Sequence, residues 1–383
     1  MIKKVGIAVM FRIDRGGGAP KVTVDLINSL KKLGMEVHLL TPFRLDYNKI
    51  EQLYEKANVD KKYDAGKIKS PFCREEYLGR KLMIKKFQQM AKEVDFIIDI
   101  DGGVFHNYLP KEFDKKKYVI WRLSCLNQNT WKLQNYINLK MIIKKVLRNF
   151  SFKKGDIPED MRIYAVDEWT KRELIENWGV TPQKTCLYVK VPVENFLPNK
   201  KKINQIVILG RIAPNKSLED SIKIFANGTE KNSDYKLKII GGMTPDSEEY
   251  IQKLNELIKE LHIGEKVEII KDPSFEQIRD ILSESKILID SQIGTSMNIP
   301  PIEAMASGCI VLMQKNSGTY TELLGKGDYG YGFENSEDGA KKLKEIITEL
   351  EKGIIDNKKS IKRAWDFSGA RFDKTLGEIL YER

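Results

Sequence analysis

KVGIAVMFRIDRGGGAPKVTVDLINSLKKLGMEVHLLT, residues 4–41, decides the fold class. Lys4–Phe11 is a near-continuous apolar run, which is the mark of a strand buried on both faces. Gly16-Gly17-Gly18 supplies a tight turn, and Val22–Leu33 carries apolar residues at helical spacing. Gly34 stops that helix and Met35–Thr41 restarts as a strand. A short apolar strand, a glycine turn, a helix and a second strand make the opening of a parallel α/β sheet. The run is too short and too soon broken by Arg12, Asp14 and Arg15, with no small-residue cleavage site, for a secretory signal.

The same grammar continues outward. Apolar strands are expected at Asp95–Ile100, Lys117–Trp121, Arg162–Val166 and Thr185–Val191, with helical patterns between them. Pro192–Asn199, polar and bounded by prolines, reads as a linker. The scheme then restarts: strand Gln205–Leu209, turn Gly210–Lys216, and a helix from Leu218. Strands follow at Lys236–Ile240, Lys266–Ile270, Lys286–Asp290, Cys309–Met313 and Tyr329–Phe333. The reading is two doubly wound α/β domains facing across a cleft, with ligands beyond the carboxyl ends of the strands.

Composition agrees and excludes other classes. The 383 residues are 41% hydrophobic and 31% charged, enough for two packed cores and unlike a disordered chain. No stretch approaches the ~18 apolar residues of a membrane span. The four cysteines (Cys73, Cys125, Cys186, Cys309) are scattered and there are three histidines, so neither a zinc site nor a redox pair is implied. Reduced thiols and a cytoplasmic location are expected.

The charge is lopsided. Residues 1–200 hold 38 Lys/Arg against 24 Asp/Glu, whereas the rest hold 27 against 30. Lys115–Gly155 contains eleven basic residues and no acid, interleaved with aromatics such as Tyr118, Trp121, Trp131 and Tyr136. As a helix, 135–150 gathers Tyr136, Leu139, Ile143, Val146, Leu147 and Phe150 on one face. Three readings stay open: a solvated helix face, a peripheral contact with an anionic membrane, and a nucleic-acid footprint. The last is the weakest, since no nucleic-acid-binding motif accompanies the charge, and no nucleic acid is expected as a partner.

Two segments can carry chemistry. In Ile208-Leu209-Gly210-Arg211-Ile212-Ala213-Pro214-Asn215-Lys216 a strand ends in a glycine turn bearing an Arg fork and a Lys point charge, a pair suited to a diphosphate. Two solvated cations on a loop are the plain alternative. In Asp290–Gly308 a polar loop leads to Pro300-Pro301, which opens a helix, with Glu303 in its first turn and Gly308 at its end. Amides at such a helix start attract phosphate, and the carboxylate suits a ribose diol. A favourable interaction with the helix dipole explains Glu303 equally well.

In order and spacing these segments resemble the nucleotide-sugar site of retaining GT-B glycosyltransferases (group 1, family 4). The shared pieces are GRxxxxK (Gly210–Lys216) and the later P-P-I-E-A-M-A-S-G (Pro300–Gly308). Gly16-Gly17-Gly18-Ala19, Val166-Asp167-Glu168, Pro192–Phe196, Ile240-Gly241-Gly242, Gly318–Glu322 and Phe367-Ser368 resemble further family landmarks. The resemblance implies a hexosyltransferase that moves a sugar from a nucleoside-diphosphate sugar to a glycan or lipid-linked acceptor, with retention and without a metal or other cofactor. It implies Arg211 and Lys216 on the leaving diphosphate and Glu303 on the ribose. Gly16, Gly17, Gly18, Gly210, Gly242, Thr295 and Ile299 complete the implied donor-binding set. Asp101, near the place of a family histidine, joins Arg211 and Lys216 as a catalytic candidate; His106 is the neighbouring alternative.

The sequence departs from the family in the sugar-facing loop. Thr295 stands where the first of two glutamates is usual, and Ser296-Met297-Asn298 replaces G-F-G. Asp99-Ile100-Asp101 is also a DxD whose two carboxylates share a strand face, but acids at a strand end are common and the diphosphate residues lie in the other half. The expected domains are 1–195 on the acceptor side, 196–365 on the donor side, and 366–383 as a helix crossing back to the first. Rival readings are an epimerase or phosphorylase on this fold, and a sugar-nucleotide binding protein without turnover. The expected location is cytoplasmic, peripheral on the inner membrane face.

Overall fold

The computed structural model describes residues 2–64, 75–100, 105–123, 158, 160–244 and 246–382. The chain divides into two compact units, Met1–Tyr188 with Phe372–Arg383, and Val189–Arg371.

In the first unit, in chain order, are β1 (Lys4–Val9), α1 (Gly18–Lys32), β2 (Glu36–Thr41), α2 (Tyr47–Leu53), β3 (Lys61–Asp64), α3 (Glu75–Ala91), β4 (Phe96–Ile100), β5 (Tyr118–Arg122), β6 (Arg162–Ala165) and α4 (Glu168–Trp178). The six strands are parallel in the order β3-β2-β1-β4-β5-β6. Their core joins Ile97, Ile120 and Ile163 of the sheet to Met83, Phe87 and Met90 of α3.

The second unit holds β7 (Ile203–Leu209), α5 (Leu218–Gly228), β8 (Lys236–Gly241), α6 (Ser247–Glu260), β9 (Val267–Lys271), α7 (Phe275–Glu284), β10 (Ser285–Asp290), α8 (Ile299–Ala306), β11 (Ile310–Gln314), β12 (Tyr331–Phe333), α9 (Ser336–Glu351) and α10 (Lys358–Ala364). Its sheet runs β12-β11-β10-β7-β8-β9, again parallel. Ile206, Ile208, Ile239, Ile287 and Leu312 meet Ile222 and Phe225 of α5 and Leu254 of α6. The last helix, α11 (Gly369–Tyr381), ends in the first unit. There Phe372 lies 5.8 Å from Trp121, and Arg162 donates to the Ile379 carbonyl.

Several expectations need correction. Thr185–Val191 is not a strand. Gln183 and Leu187 donate to the Ile163 and Ala165 carbonyls of β6, four residues of one segment spanning two of the other, so no continuous ladder forms. Val191 makes an isolated bridge with Ser368. Pro192–Asn199 is not a loose linker, because Val193 and Phe196 are fully buried and Phe196 stacks edge-on against Phe275. The helix expected over 135–150 lies outside the described residues.

Candidate functional site

Each sheet has the order in which the chain goes out one way from its first strand and then returns to the other side. In the second unit the reversal falls between β7 and β10, and in such sheets the crevice at the carboxyl ends of those two strands takes the ligand. The segment after β7 bears Gly210, Arg211 and Lys216, and the segment after β10 bears Gln292, Thr295 and Asn298.

Two main-chain hydrogen bonds hold the β7 segment against β8. Gly210 donates to the Ile240 carbonyl at 3.1 Å and Ile212 to the Gly242 carbonyl at 3.0 Å. The crossing is so close that a Cβ on Gly241 would overlap the Gly210 oxygen, whereas one on Gly242 would meet nothing nearer than 3.8 Å. Arg211 is exposed at this turn. Lys216 closes a 3-10 turn, Pro214–Lys216, with its methylenes passing over Gly210. Among the described residues neither cation makes an ion pair.

Lys216 Nζ donates instead to Gln292 Oε1 at 2.6 Å. Asn298 Nδ2 donates to the same oxygen at 3.2 Å and to Asp290 Oδ2 at 3.0 Å. The other oxygen of Asp290 accepts from the Gln292 main-chain N–H at 3.0 Å. Burial pulls the Lys216 ammonium below its ordinary pKa and Arg211 adds to the effect, while Asp290 opposes it. The loop is further pinned to the next turn, since Gly318 N donates to Thr295 O at 2.8 Å and Asn298 N to Thr319 Oγ1 at 2.8 Å.

The helix start differs from its expected form. α8 begins at Ile299, so Glu303 is its fifth residue and lies beyond the first turn; its side chain is largely buried. Pro300 and Pro301 carry no N–H. With the Asn298 main-chain N–H already bonded to Thr319 Oγ1 and prolines at 300 and 301, the first turn has fewer main-chain donors to offer a ligand than an ordinary helix start. The mouth of α8 is therefore a poorer phosphate cradle than a helix start usually is. Gly308, at φ 78, ends the helix as expected, and Cys309 N reaches back to the Ala304 carbonyl.

In the first unit Gly17 precedes α1 at φ 147, and a Cβ on Gly16 or Gly18 would meet nothing within 4 Å. Tyr54 Oη donates to the carbonyls of Arg15 (2.6 Å) and Gly17 (3.2 Å) and so fixes the turn. Asp14 is buried and takes both Nε and Nη2 of Arg12, at 2.8 and 2.6 Å. Asp101 lies outside the described residues. Asp99 is buried and accepts from Tyr118 Oη; His106 is buried in a 3-10 turn. Sequence reasoning assigned no role to Gln292, Asn298 or Gly241. A distinctive neighbour pointed to each: Gln292 and Asn298 share the departing loop, and Gly241 belongs to a glycine doublet.

Comparison with known proteins bears on both units. Over its whole length the chain superposes on a glycosyltransferase crystal structure from Rickettsia africae, with a TM-score of 0.72 at 17% identity and all of both chains covered. It superposes equally fully on Anabaena Alr3699/HepE in complex with UDP and glucose, at 0.69 and 14%. The fold is GT-B. Residues 193–364, all within the second unit, match the family model of glycosyl transferases group 1. Over 172 residues the chain is 27% identical to the O-antigen chain mannosyltransferase RfbU of Salmonella typhimurium, covering 45% of this chain and 46% of that one. Over 244 residues it is 26% identical to human GDP-Man:Man(3)GlcNAc(2)-PP-Dol alpha-1,2-mannosyltransferase, covering 59% and 50%. The chain thus spans about half the length of the relatives it matches.

Proposed function

We propose that this protein is a hexosyltransferase of the retaining, family-4 type that moves a sugar from a nucleoside-diphosphate sugar to a glycan or lipid-linked acceptor. The observation that carries the reading is the placement of Arg211 and Lys216 at the carboxyl end of the β7/β10 crevice, with neither in an ion pair among the described residues. When the bond from the sugar's anomeric carbon to the diphosphate oxygen breaks, the electron pair leaves with the diphosphate. Two cations there stabilise the charge as it develops. This assigns neutralisation of the leaving group to side chains rather than to a metal. Glu303 is the candidate for the ribose hydroxyls, with Gly210, Gly242, Thr295 and Ile299 around the donor. Gly16, Gly17 and Gly18 complete that donor-binding set, and Asp101 is the further catalytic candidate beside Arg211 and Lys216.

The relatives named above are mannosyltransferases, one of them named for GDP-mannose, which puts GDP-mannose first among donors to test; the superposed Anabaena structure holds UDP and glucose, which puts UDP-glucose second. Among the described residues no helix is long and apolar enough to cross a membrane. For a lipid-linked acceptor we propose a cytoplasmic protein in peripheral contact with an anionic membrane face through 115–155, of which 124–155 lie outside the described residues.

The test is a donor panel. A true donor or its free diphosphate raises the melting temperature increasingly as its concentration exceeds Kd, and transfer releases the diphosphate. Arg211→Ala and Lys216→Ala each remove a charge-assisted contact of about 1.5–3 kcal/mol, so each should lower kcat/KM roughly tenfold to a hundredfold, with chelator making no difference. Donor use unchanged in both variants would overturn the assignment.

A further inference from the structure

We propose that Gln292, steered by Asn298 and Asp290, is a positioning residue that docks the Lys216 ammonium through a neutral acceptor, so that a nucleoside diphosphate meets its full charge. The proposal rests on the donor-site reading above and adds residues to it. A lysine on a loop has a flexible four-carbon stem, and holding its tip in place takes a fixed partner. A carboxylate in contact would fix it but would cancel the charge before the ligand arrived. Gln292 Oε1, at 2.6 Å, fixes the tip and leaves the charge intact.

The orientation of Gln292 is itself determined. Its Oε1 accepts from Lys216 and from Asn298 Nδ2, so the oxygen and not the amide nitrogen must face the lysine. Asn298 is available for this because of the prolines that follow it. An asparagine before a helix ordinarily accepts from the second or third amide of the helix. Here those residues are Pro300 and Pro301, which have no N–H to give, and Asn298 makes no capping bond. Its side chain turns to Asp290 and Gln292 instead. Asp290 stands one residue removed from the ammonium. It supplies negative potential that keeps a partly buried lysine charged, against burial and Arg211, but it does not contact the ammonium itself. Asp290 and Arg211 are the charged groups that act on Lys216.

The experiment compares wild type with Gln292→Glu and Gln292→Leu, each checked for an unchanged melting profile. Competitive acetic anhydride labelling across pH 7–11, read at the Lys216 peptide, reports that ammonium without any ligand. Gln292→Glu should raise its labelling pKa and Gln292→Leu should lower it further, because one adds an opposite charge and the other removes a bond to the charged form. Both variants should bind UDP and GDP more weakly, Gln292→Glu by about tenfold or more because its lysine is already neutralised. General damage to the loop cannot move the labelling pKa in opposite directions. An unmoved pKa in both variants, or undiminished diphosphate binding by Gln292→Glu, would overturn the proposal. A wild type that binds neither UDP nor GDP strikes the donor-site reading, and the labelling arm still decides whether Gln292 docks the lysine.

Discussion

A single hydrogen atom in place of a side chain keeps the β7 crossing intact. Gly241 sits where the Gly210 carbonyl passes over the end of β8, and the two flanking bonds, Gly210 to Ile240 and Ile212 to Gly242, depend on that approach. Gly241→Ala should force the crossing off the strand. It should cost about 1–3 kcal/mol or more, as overpacking does, and should remove diphosphate binding along with it. Gly242→Ala, whose Cβ has room, should leave stability within about 0.5 kcal/mol. Urea unfolding of the two variants side by side checks this, and equal losses would show that the close approach is not the cause. The glycine doublet was visible in the sequence, but which member is indispensable was not. That depends on a carbonyl thirty-one positions earlier, and the sequence reading settled on Gly242. Lys216 stood out by its spacing to Arg211, whereas its partner Gln292 was marked only by lying in the departing loop, because an amide acceptor leaves no charge pattern to read.

At the scale of elements, buried parallel strands declared themselves. Gln205–Leu209 falls within β7 and Lys236–Ile240 within β8, since a buried parallel strand carries an apolar run, here Ile206–Leu209 and Ile239-Ile240. β3, Lys-Lys-Tyr-Asp at the sheet edge, escaped because an edge strand needs only one inward residue, here Tyr63. Helix ends were harder, since their partners are distant in sequence. Lys202 looks like one of a run of surface lysines, yet it is partly buried. Its Nζ donates to the Ser307 carbonyl at 2.7 Å and to the Leu282 carbonyl at 3.1 Å, so it closes the carboxyl ends of α8 and α7 together. Burial holds its ammonium below the ordinary lysine value, with Cys309 opposing. Lys202→Met should take the lysine donor from the buried Ser307 carbonyl and leave the Leu282 carbonyl to the weak Cys309 thiol donor alone, at a cost of about 1–3 kcal/mol. Lys200→Met, two residues away, removes only solvent-facing pairs with Asp280 and Glu284 and should cost under about 1 kcal/mol. Chemical denaturation with a probe in the second unit distinguishes them, and a harmless Lys202→Met would mean that water replaces the lysine.

Across the whole molecule, two sheets of one strand order carry very different electrostatic loads. The first unit belongs to the basic half of the chain, and its carboxylates are drawn into pairs. Burial works against Asp14, Asp60 and Asp95, but Arg12 with the Asp46 amide, Lys31 with the Val37 amide, and the Lys3 and Lys4 amides hold them below the ordinary aspartate value. Glu36 is lowered by His38 and Lys4, Glu93 by Lys61 and Tyr63, and Glu382 by Tyr164 and Arg162. In the second unit, among the described residues, Glu249 beside Lys253 is the carboxylate so lowered. A carboxyl whose folded pKa is depressed stabilises the fold above its unfolded value, and that contribution is lost as pH falls through the folded value. Those ordinary values are 3.8 for aspartate and 4.5 for glutamate, so the loss begins near there and deepens below. It falls mainly on the first unit. Acidification from pH 6 to pH 3 should therefore open the first unit before the second. Hydrogen exchange should rise first in peptides covering 36–64 and 93–100, while 236–290 stays protected, and Asp95→Asn should flatten the dependence in the first set. Simultaneous loss of protection, or earlier loss in 236–290, would show that these pairs do not set the acid limit of the fold.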